Sequence, residues 1–178
     1  MVYFQSDNII TSLGFNTTQN FDSLLSGEVG IKTITDKTFY PDPVPASIVN
    51  NELLEQKFSE IENPGEFTRL EKMLILSIKD ALTQSDIDAS SEKVIVVVST
   101  TKGNIDLLEP GKQNLFEKSR VELWQLGQVI SNYFYNPNQA IVLSNACISG
   151  VLALNIAADL IRNGMYDHAI VCGGDIVS

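Results

Sequence analysis

The chain has 178 residues, 44% of them apolar, and a formal net charge of −10, so we expect one compact domain over residues 1–178 with a core of ordinary size. The acidic balance and the scattered lysines and arginines argue against nucleic acid as a partner. No run approaches the ~20 apolar residues of a membrane span and no secretory leader is recognisable, so we expect no membrane association and a cytoplasmic protein.

Strand-like and helix-like segments alternate along the chain, which is typical of an α/β domain. The first segment, from Val2 to Ile10, reads as a strand. A short helix follows, which Thr17 or Thr18 can cap and which Gly27 can end, because glycine readily takes the left-handed conformation.

The stretch from Val29 to Pro64 is predicted to be a long surface excursion, because three prolines at positions 41, 43 and 45 hold the chain extended. Within it, residues Asn50 to Ile61 can form a short acidic helix. The next segment, from Phe67 to Thr83, carries apolar residues at spacings of three and four. These spacings place the residues on one face of a predicted helix.

The second half of the chain repeats the alternation. The run from Val94 to Val98 is a short apolar segment that predicts a central strand covered on both faces. A helix is predicted from Arg120 to Tyr135, and strands are predicted for Ala140 to Leu143 and for Ala169 to Cys172. The helix between those strands, from Ile148 to Asn163, is apolar on nearly every side and is therefore expected to be interior.

Cys147 stands out because it follows one of these strands and opens the next helix. At a helix start, the unpaired backbone N–H groups and the positive end of the helix dipole favour the thiolate over the thiol. The small residues Ala146, Ser149 and Gly150 leave room for an acyl chain. The position indicates a nucleophile for acyl transfer, although a free cysteine at such a site is more often inert packing.

The other candidates for chemistry have simpler interpretations. Cys172 lies inside an apolar strand and is predicted to be buried. His168, the single histidine, is interpreted as a structural or surface residue. Because the cysteines form no CxxC pair and have no flanking histidines, neither a zinc site nor a disulfide is expected. The pair Gly173-Gly174 is predicted to allow a close approach of two backbones, or a plain tight turn.

A family resemblance runs through the same region. The sequence VLSNACISGV at 142–151, continuing as AADLIRNG at 157–164 and AIVCGGD at 169–175, resembles the nucleophile segment of β-ketoacyl-[acyl carrier protein] synthases. In that family an Ala-Cys turn opens a buried helix, and a glycine turn, a strand and a Gly-Gly pair follow. Weaker similarities to the family lie at ITSLG (10–14), in residues 20–31 and at Arg69-Leu70-Glu71.

The resemblance implies the amino-terminal half of a thiolase-like α/β fold, with the carboxy-terminal half absent. That half has a mixed five-stranded sheet flanked by helices and a buried helix after the nucleophile. Cys147 is then expected to take an acyl group from an acyl carrier protein and to condense it with malonyl-carrier protein, in fatty acid or polyketide synthesis. The two histidines that assist condensation are expected in the absent half.

Further expectations follow from the same resemblance. A homodimer is expected to form through the strand Ala140 to Leu143. No cofactor is expected, because the phosphopantetheine arm of the carrier protein holds the substrate. Ile148 is bulkier than the small residue expected after the nucleophile and is predicted either to narrow the acyl pocket or to mark a less typical subgroup of the family.

Two alternative functions stay open on the sequence alone. The chain can be a non-catalytic fragment or the inactive partner subunit of a condensing enzyme, although Cys147 is usually replaced in such partners. It can also belong to a thiolase or to a synthase that uses coenzyme A, since coenzyme A and the carrier protein present the same phosphopantetheine arm.

Overall fold

Helices and strands alternate in the computed structural model, which describes residues 1–37, 40–112 and 114–177. The helices are α1 (Thr17–Leu25), α2 (Asn51–Ser59), α3 (Arg69–Thr83), α4 (Leu123–Tyr133) and α5 (Ser149–Arg162). The strands are β1 (Lys32–Ile34), β2 (Val44–Ala46), β3 (Val94–Ser99), β4 (Ile141–Leu143) and β5 (His168–Gly173).

A parallel three-stranded sheet in the order β4-β3-β5 forms the centre of the molecule. Its middle strand, β3, is buried along its whole length, as its run of valines predicts. Val94, Val96 and Val98 face a core built with α3 and α4, whereas Ile95 and Val97 face α5. The result is three layers, with the sheet between helices on both sides.

The proline-containing stretch is more ordered than predicted. Strands β1 and β2 pair antiparallel there, with Thr33 opposite Pro45. Pro45 is compatible with this small ladder because each of the two strands has a free edge, where a missing N–H breaks no hydrogen bond. Thr38 and Phe39, which belong to the same predicted excursion, lie outside the described residues.

The α/β class is confirmed, but two details of the predicted sheet are wrong. The five strands of the described residues form two sheets, one parallel and one antiparallel, and not a single mixed sheet. The segment Val2 to Ile10 forms no strand. Side chains hold it instead: Gln5 donates to Asp86 at 2.6 Å and Asn8 donates to Ser77 at 3.1 Å. A strand needs a ladder partner, and none within the described residues pairs with this segment.

Helix α5 is less buried than its composition predicts. Its buried residues are Ser149, Ala153 and Ala157, which form the face against the sheet. On the opposite side, Val151 and Leu154 are 62% and 39% exposed. The prediction of an interior helix is therefore wrong for this chain, because the described residues cover only one of the two apolar faces.

The remaining helices confirm their predictions, with small shifts at the ends. Asn16, rather than Thr17 or Thr18, caps α1, and its side chain accepts from the backbone N–H of Gln19. Gly27 follows the helix with φ of 79°, as expected for a glycine that ends a helix. No helix in the described ranges is both long and apolar enough to cross a bilayer.

Candidate active site

Cys147 lies on the turn between β4 and α5. After β4 the chain passes through Ser144 and Asn145 into a 3-10 turn, Ala146–Ile148, which runs directly into α5. The thiol is exposed to solvent. The predicted position at a helix entrance is therefore confirmed, and a reagent in solution can reach the sulfur. Its role as a nucleophile stays a prediction.

Ser149 braces this turn. Its hydroxyl accepts a hydrogen bond from the backbone N–H of Asn145 at 2.8 Å and donates one to the carbonyl of Ala146 at 2.8 Å. Ala146 has φ of 45°, a left-handed conformation that costs about 1–2 kcal/mol for a residue with a Cβ. The two hydrogen bonds stabilise that strained conformation, and they thereby fix Cys147 at the start of α5.

The surface around Cys147 is open and partly apolar. Ile148 and Val151 are 52% and 62% exposed, and a Cβ added at Gly150 would meet no atom within 4 Å. Clefts of about 760 and 530 Å³ lie elsewhere on the described structure, and Cys147 lines neither of them. The thiol is therefore outside these two clefts, and the narrowing of an acyl pocket by Ile148 stays a prediction.

Asp175 lies just beyond β5, at the carboxyl edge of the sheet. Its carboxylate accepts hydrogen bonds from the hydroxyls of Thr100 and Thr101 at 2.8 and 2.7 Å. It also accepts from the backbone N–H groups of Thr101 and Lys102 at 2.9 and 3.1 Å. Asp175 is exposed, and its partial desolvation alone would raise its pKa, but these hydrogen bonds outweigh the desolvation and lower the pKa. Asp175 is therefore an anion that ties the loop after β3 to the end of β5.

Gly173 allows β3 and β5 to approach closely at the same edge. A Cβ added at Gly173 would lie 3.1 Å from the carbonyl oxygen of Ser99 and would collide with the Ser99 hydroxyl. The backbone N–H of Gly174 donates to that carbonyl at 3.1 Å. The close backbone approach predicted for the glycine pair is confirmed at Gly173.

The other two candidates also lie where they were predicted. His168 is exposed at the amino end of β5, opposite Val94, whereas Cys147 follows the carboxyl end of β4, at the far edge of the parallel sheet. Cys172 is buried in the core, and burial raises its pKa to about 12. Within residues 1–37, 40–112 and 114–177, no group of three His, Cys, Asp or Glu side chains is arranged to hold a metal ion.

A buried polar cluster at the start of α3 was not predicted from the sequence. Glu71 is completely buried and accepts two hydrogen bonds of 2.8 Å from Arg120. It also accepts from the backbone N–H of Thr68 at 2.8 Å and from the side-chain amide of Asn104 at 2.9 Å. The acidic residue of the family-like helix entry therefore caps α3 and anchors two distant loops.

Residues 143–178, which contain Cys147 and Asp175, match the sequence model of the 3-oxoacyl-[acyl-carrier-protein (ACP)] synthase III family. A search of curated proteins gives no match. Solved structures of ketosynthases are similar over nearly the whole chain. One is the complex of the ketosynthase ApeO with its chain length factor ApeC from Xenorhabdus doucetiae, at 19% identity and a TM-score of 0.68.

Two further ketosynthases give the same result. The ketosynthase from module 6 of the bacillaene synthase from Bacillus subtilis 168 is 16% identical with a TM-score of 0.68. A β-ketoacyl synthase from Burkholderia phymatum STM815 is 15% identical with a TM-score of 0.66. The similarity covers 95%, 97% and 91% of this chain in the three cases, but only 45%, 31% and 43% of theirs.

These similarities show that the chain has the thiolase-like fold of the ketosynthases, as the sequence resemblance implied. The chain spans less than half the length of each of these three proteins.

Proposed function

We propose that Cys147 accepts an acyl group as a thioester, and that the chain is the nucleophile-bearing part of a condensing enzyme of the β-ketoacyl-synthase type. The observation that carries this proposal is the exposed thiol at the entrance of α5, inside the segment 143–178 that matches the synthase III family. The ketosynthase fold supports the same reaction class.

The proposed step is an acyl transfer between two sulfur atoms. The thiolate of Cys147 attacks the carbonyl carbon of an acyl thioester, and the bond from that carbon to the donor sulfur breaks. The donor leaves as a thiolate and takes up the proton that the cysteine lost. The positive end of the α5 dipole stabilises the oxyanion that forms between these events.

Condensation with malonyl-carrier protein, in fatty acid or polyketide synthesis, requires more than this nucleophile. The two assisting histidines that the resemblance implies are not supplied by His168, which lies at the opposite edge of the sheet. We therefore expect the present chain to take up an acyl group without elongating it.

The acyl donor in this proposal is an acyl carrier protein. In the type II polyketide complex AntDE:AntF, which has the same fold at 17% identity, an acyl carrier protein is in complex with its ketosynthase. The net charge of −10 on the present chain opposes an acidic carrier, so coenzyme A stays the alternative donor with the same phosphopantetheine arm.

Two further parts of the proposal concern assembly and location. A homodimer through β4 is supported by its free edge, because among the described residues β4 pairs only with β3. The inactive partner subunit of a condensing enzyme is the alternative function, and the presence of Cys147 disfavours it. Unpaired cysteines are compatible with the reducing cytoplasm.

Intact-mass analysis after incubation with acyl-carrier protein tests the proposal. We expect one added acyl group on the unmodified chain and on Cys172→Ala, which is the matched control, and none on Cys147→Ala. A parallel incubation with acyl-coenzyme A separates the two donors. Absence of any adduct that depends on Cys147, with both donors, would overturn the proposed function.

A further inference from the structure

Thr100 connects two strand ends at the carboxyl edge of the sheet. Its backbone N–H donates to the carbonyl of Leu143, the last residue of β4, at 3.1 Å. Its hydroxyl donates to Asp175 at 2.8 Å and accepts from the backbone N–H of Gly103 at 2.9 Å. Because Thr100 is only 2% exposed, it has little freedom to move apart from these partners.

This connection brings Asp175 into the neighbourhood of the nucleophile turn. Leu143 is the residue from which the chain leaves the sheet, and Cys147 follows four residues later. The Asp175 carboxylate accepts four hydrogen bonds, and all four donors belong to residues 100–102 of the loop that begins at Thr100. Release of that loop would therefore loosen the last hydrogen bond that holds β4 before the turn.

We propose that Asp175 is a positioning residue for the Cys147 site: it holds the Thr100 loop, and through Thr100 it fixes the end of β4 that carries the nucleophile turn. The inference rests on the proposed acyl-accepting role of Cys147. Asp175 does not touch the thiol in this mechanism. Asp175 instead affects how well the Cys147 sulfur is placed relative to the thioester carbonyl. A displacement of about 1 Å can lower the rate of such a step by as much as roughly a hundredfold.

Residue-resolved amide exchange tests the mechanical link. In Asp175→Ala we expect at least a tenfold faster exchange at Thr101 and Lys102, which lose their acceptor, and also at Thr100, whose N–H bonds to Leu143. If the role of Asp175 is purely local, amide exchange in this variant should be faster at Thr101 and Lys102 but unchanged at Thr100. Thr101→Val, which removes a single hydrogen bond to the carboxylate, tests the link if Asp175→Ala fails to fold.

Two reactions of Cys147 test the consequence for chemistry. Transfer from acyl-carrier protein or acyl-coenzyme A requires a bound, oriented thioester, whereas alkylation by iodoacetamide requires only an exposed thiol. We expect Asp175→Ala to slow acyl transfer about tenfold and alkylation by less than twofold. Thr101→Ser, which keeps the hydroxyl, should retain the transfer rate that Thr101→Val loses. Asp22→Asn removes a charge on the exposed side of α1 and is the control.

The outcomes separate the two proposals. A chain that takes no acyl group at all refutes the proposed function, and the exchange at Thr100 then still decides whether Asp175 holds β4. Normal acyl transfer in Asp175→Ala, or unchanged exchange at Thr100, overturns the inference and leaves the proposed function intact. Equal losses in acyl transfer and alkylation would assign Asp175 to general stability and would also overturn it.

Discussion

The two cysteines have opposite environments. Cys147 is exposed on the turn before α5, whereas Cys172 is 9% exposed inside β5. Burial disfavours the charged thiolate and raises the pKa of Cys172 to about 12. At neutral pH Cys172 is therefore a neutral thiol within the core, and only Cys147 is available to react.

This contrast predicts selective alkylation. Iodoacetamide at pH 7.5 should modify Cys147 in the folded protein and leave Cys172 unmodified until denaturant is added, because the reagent requires both access and a thiolate. Peptide mass analysis measures the two sites separately. Equal modification of both cysteines without denaturant would show that the core around β5 opens readily.

Asp175 predicts a pH dependence of stability. Its pKa in the folded state is lowered, because its four hydrogen bonds outweigh the opposing effect of partial desolvation. A carboxylate with a lowered pKa contributes stability above its unfolded pKa of about 3.9, and the contribution is lost as the pH falls through the folded value. Asp175→Asn should therefore unfold at lower urea than the unchanged chain at pH 7, and the difference should shrink at pH 3.

Denaturation midpoints of both proteins at the two pH values measure this effect. A difference between them that is equal at pH 7 and pH 3 would mean that the charge of Asp175 is not what stabilises the loop. Other titrating groups, such as Asp86 and Asp88, are present in both proteins and cancel in the comparison.

The local sequence was sufficient to select Cys147 as a candidate, but it did not indicate the residues that hold its turn in place. Cys147 is recognised from a strand, a turn and small neighbours, which are consecutive in the chain. The link from Asp175 to Thr100 spans 75 residues, and no local pattern encodes it. Ser149 braces the turn from only four residues away, but its hydrogen bonds depend on the left-handed conformation of Ala146.

The turn between β4 and α5 is the element on which the proposed chemistry depends. In Ser149→Ala, the backbone N–H of Asn145 and the carbonyl of Ala146 each lose their hydrogen bond to the Ser149 hydroxyl, although the carbonyl keeps its bond from the backbone N–H of Ser149. We expect a loss of about 1–2 kcal/mol in unfolding free energy and a slower acyl transfer to Cys147. Urea denaturation and the intact-mass assay measure the two effects. Ser149→Thr keeps a hydroxyl and is the matched variant. Equal losses of stability and acyl transfer in both variants would show that the hydrogen bonds of the Ser149 hydroxyl do not hold the turn.

The start of α3 depends on one buried ion pair. In Arg120→Met the completely buried carboxylate of Glu71 loses its charged partner. Breaking a buried pair from one side costs about 3–5 kcal/mol, and we expect the lower end because the Arg120 side chain is 22% exposed. Arg162→Met breaks the exposed pair with Asp159 on α5 and should change stability by less than about 1 kcal/mol.

Urea denaturation of the two arginine variants measures the contrast. Similar, small effects in both would show that water or neighbouring donors satisfy Glu71 once Arg120 is gone.

Periodicity was sufficient for the elements that pack against the central sheet. The predicted helices at 67–83 and 120–135 and the buried strand at 94–98 are confirmed, because their apolar spacing reflects the face that the sheet covers. The sequence pattern wrongly predicted a strand from Val2 to Ile10. A strand is defined by hydrogen bonds to a partner strand, and a single segment does not specify that partner. The β1-β2 hairpin was missed because three prolines concealed its short ladder.

At the scale of the whole molecule, several apolar residues of the described helices lie in solvent. On α5 the residues that face away from the sheet, Val151 and Leu154, are exposed, although a helix apolar on both faces is normally interior. On α1 the contrast is sharper, because Asn20 is the buried residue while Phe21 is 59% exposed. The sequence correctly indicated that α5 has two apolar faces, but it did not specify which of them the described residues cover.

Such surfaces predict self-association of the chain. Contiguous exposed apolar area favours association in water because burying it is favourable by about 25 cal/mol per Å². We expect the weight-average mass in sedimentation equilibrium to rise with concentration, and Val151→Glu to reduce that rise because a buried charge opposes association. Leu115→Glu adds the same charge at an exposed residue outside the helices and should leave the mass unchanged. A monomer at every concentration would show that the α5 face is stable in water, and equal effects of the two variants would mean that net charge, rather than this face, controls association.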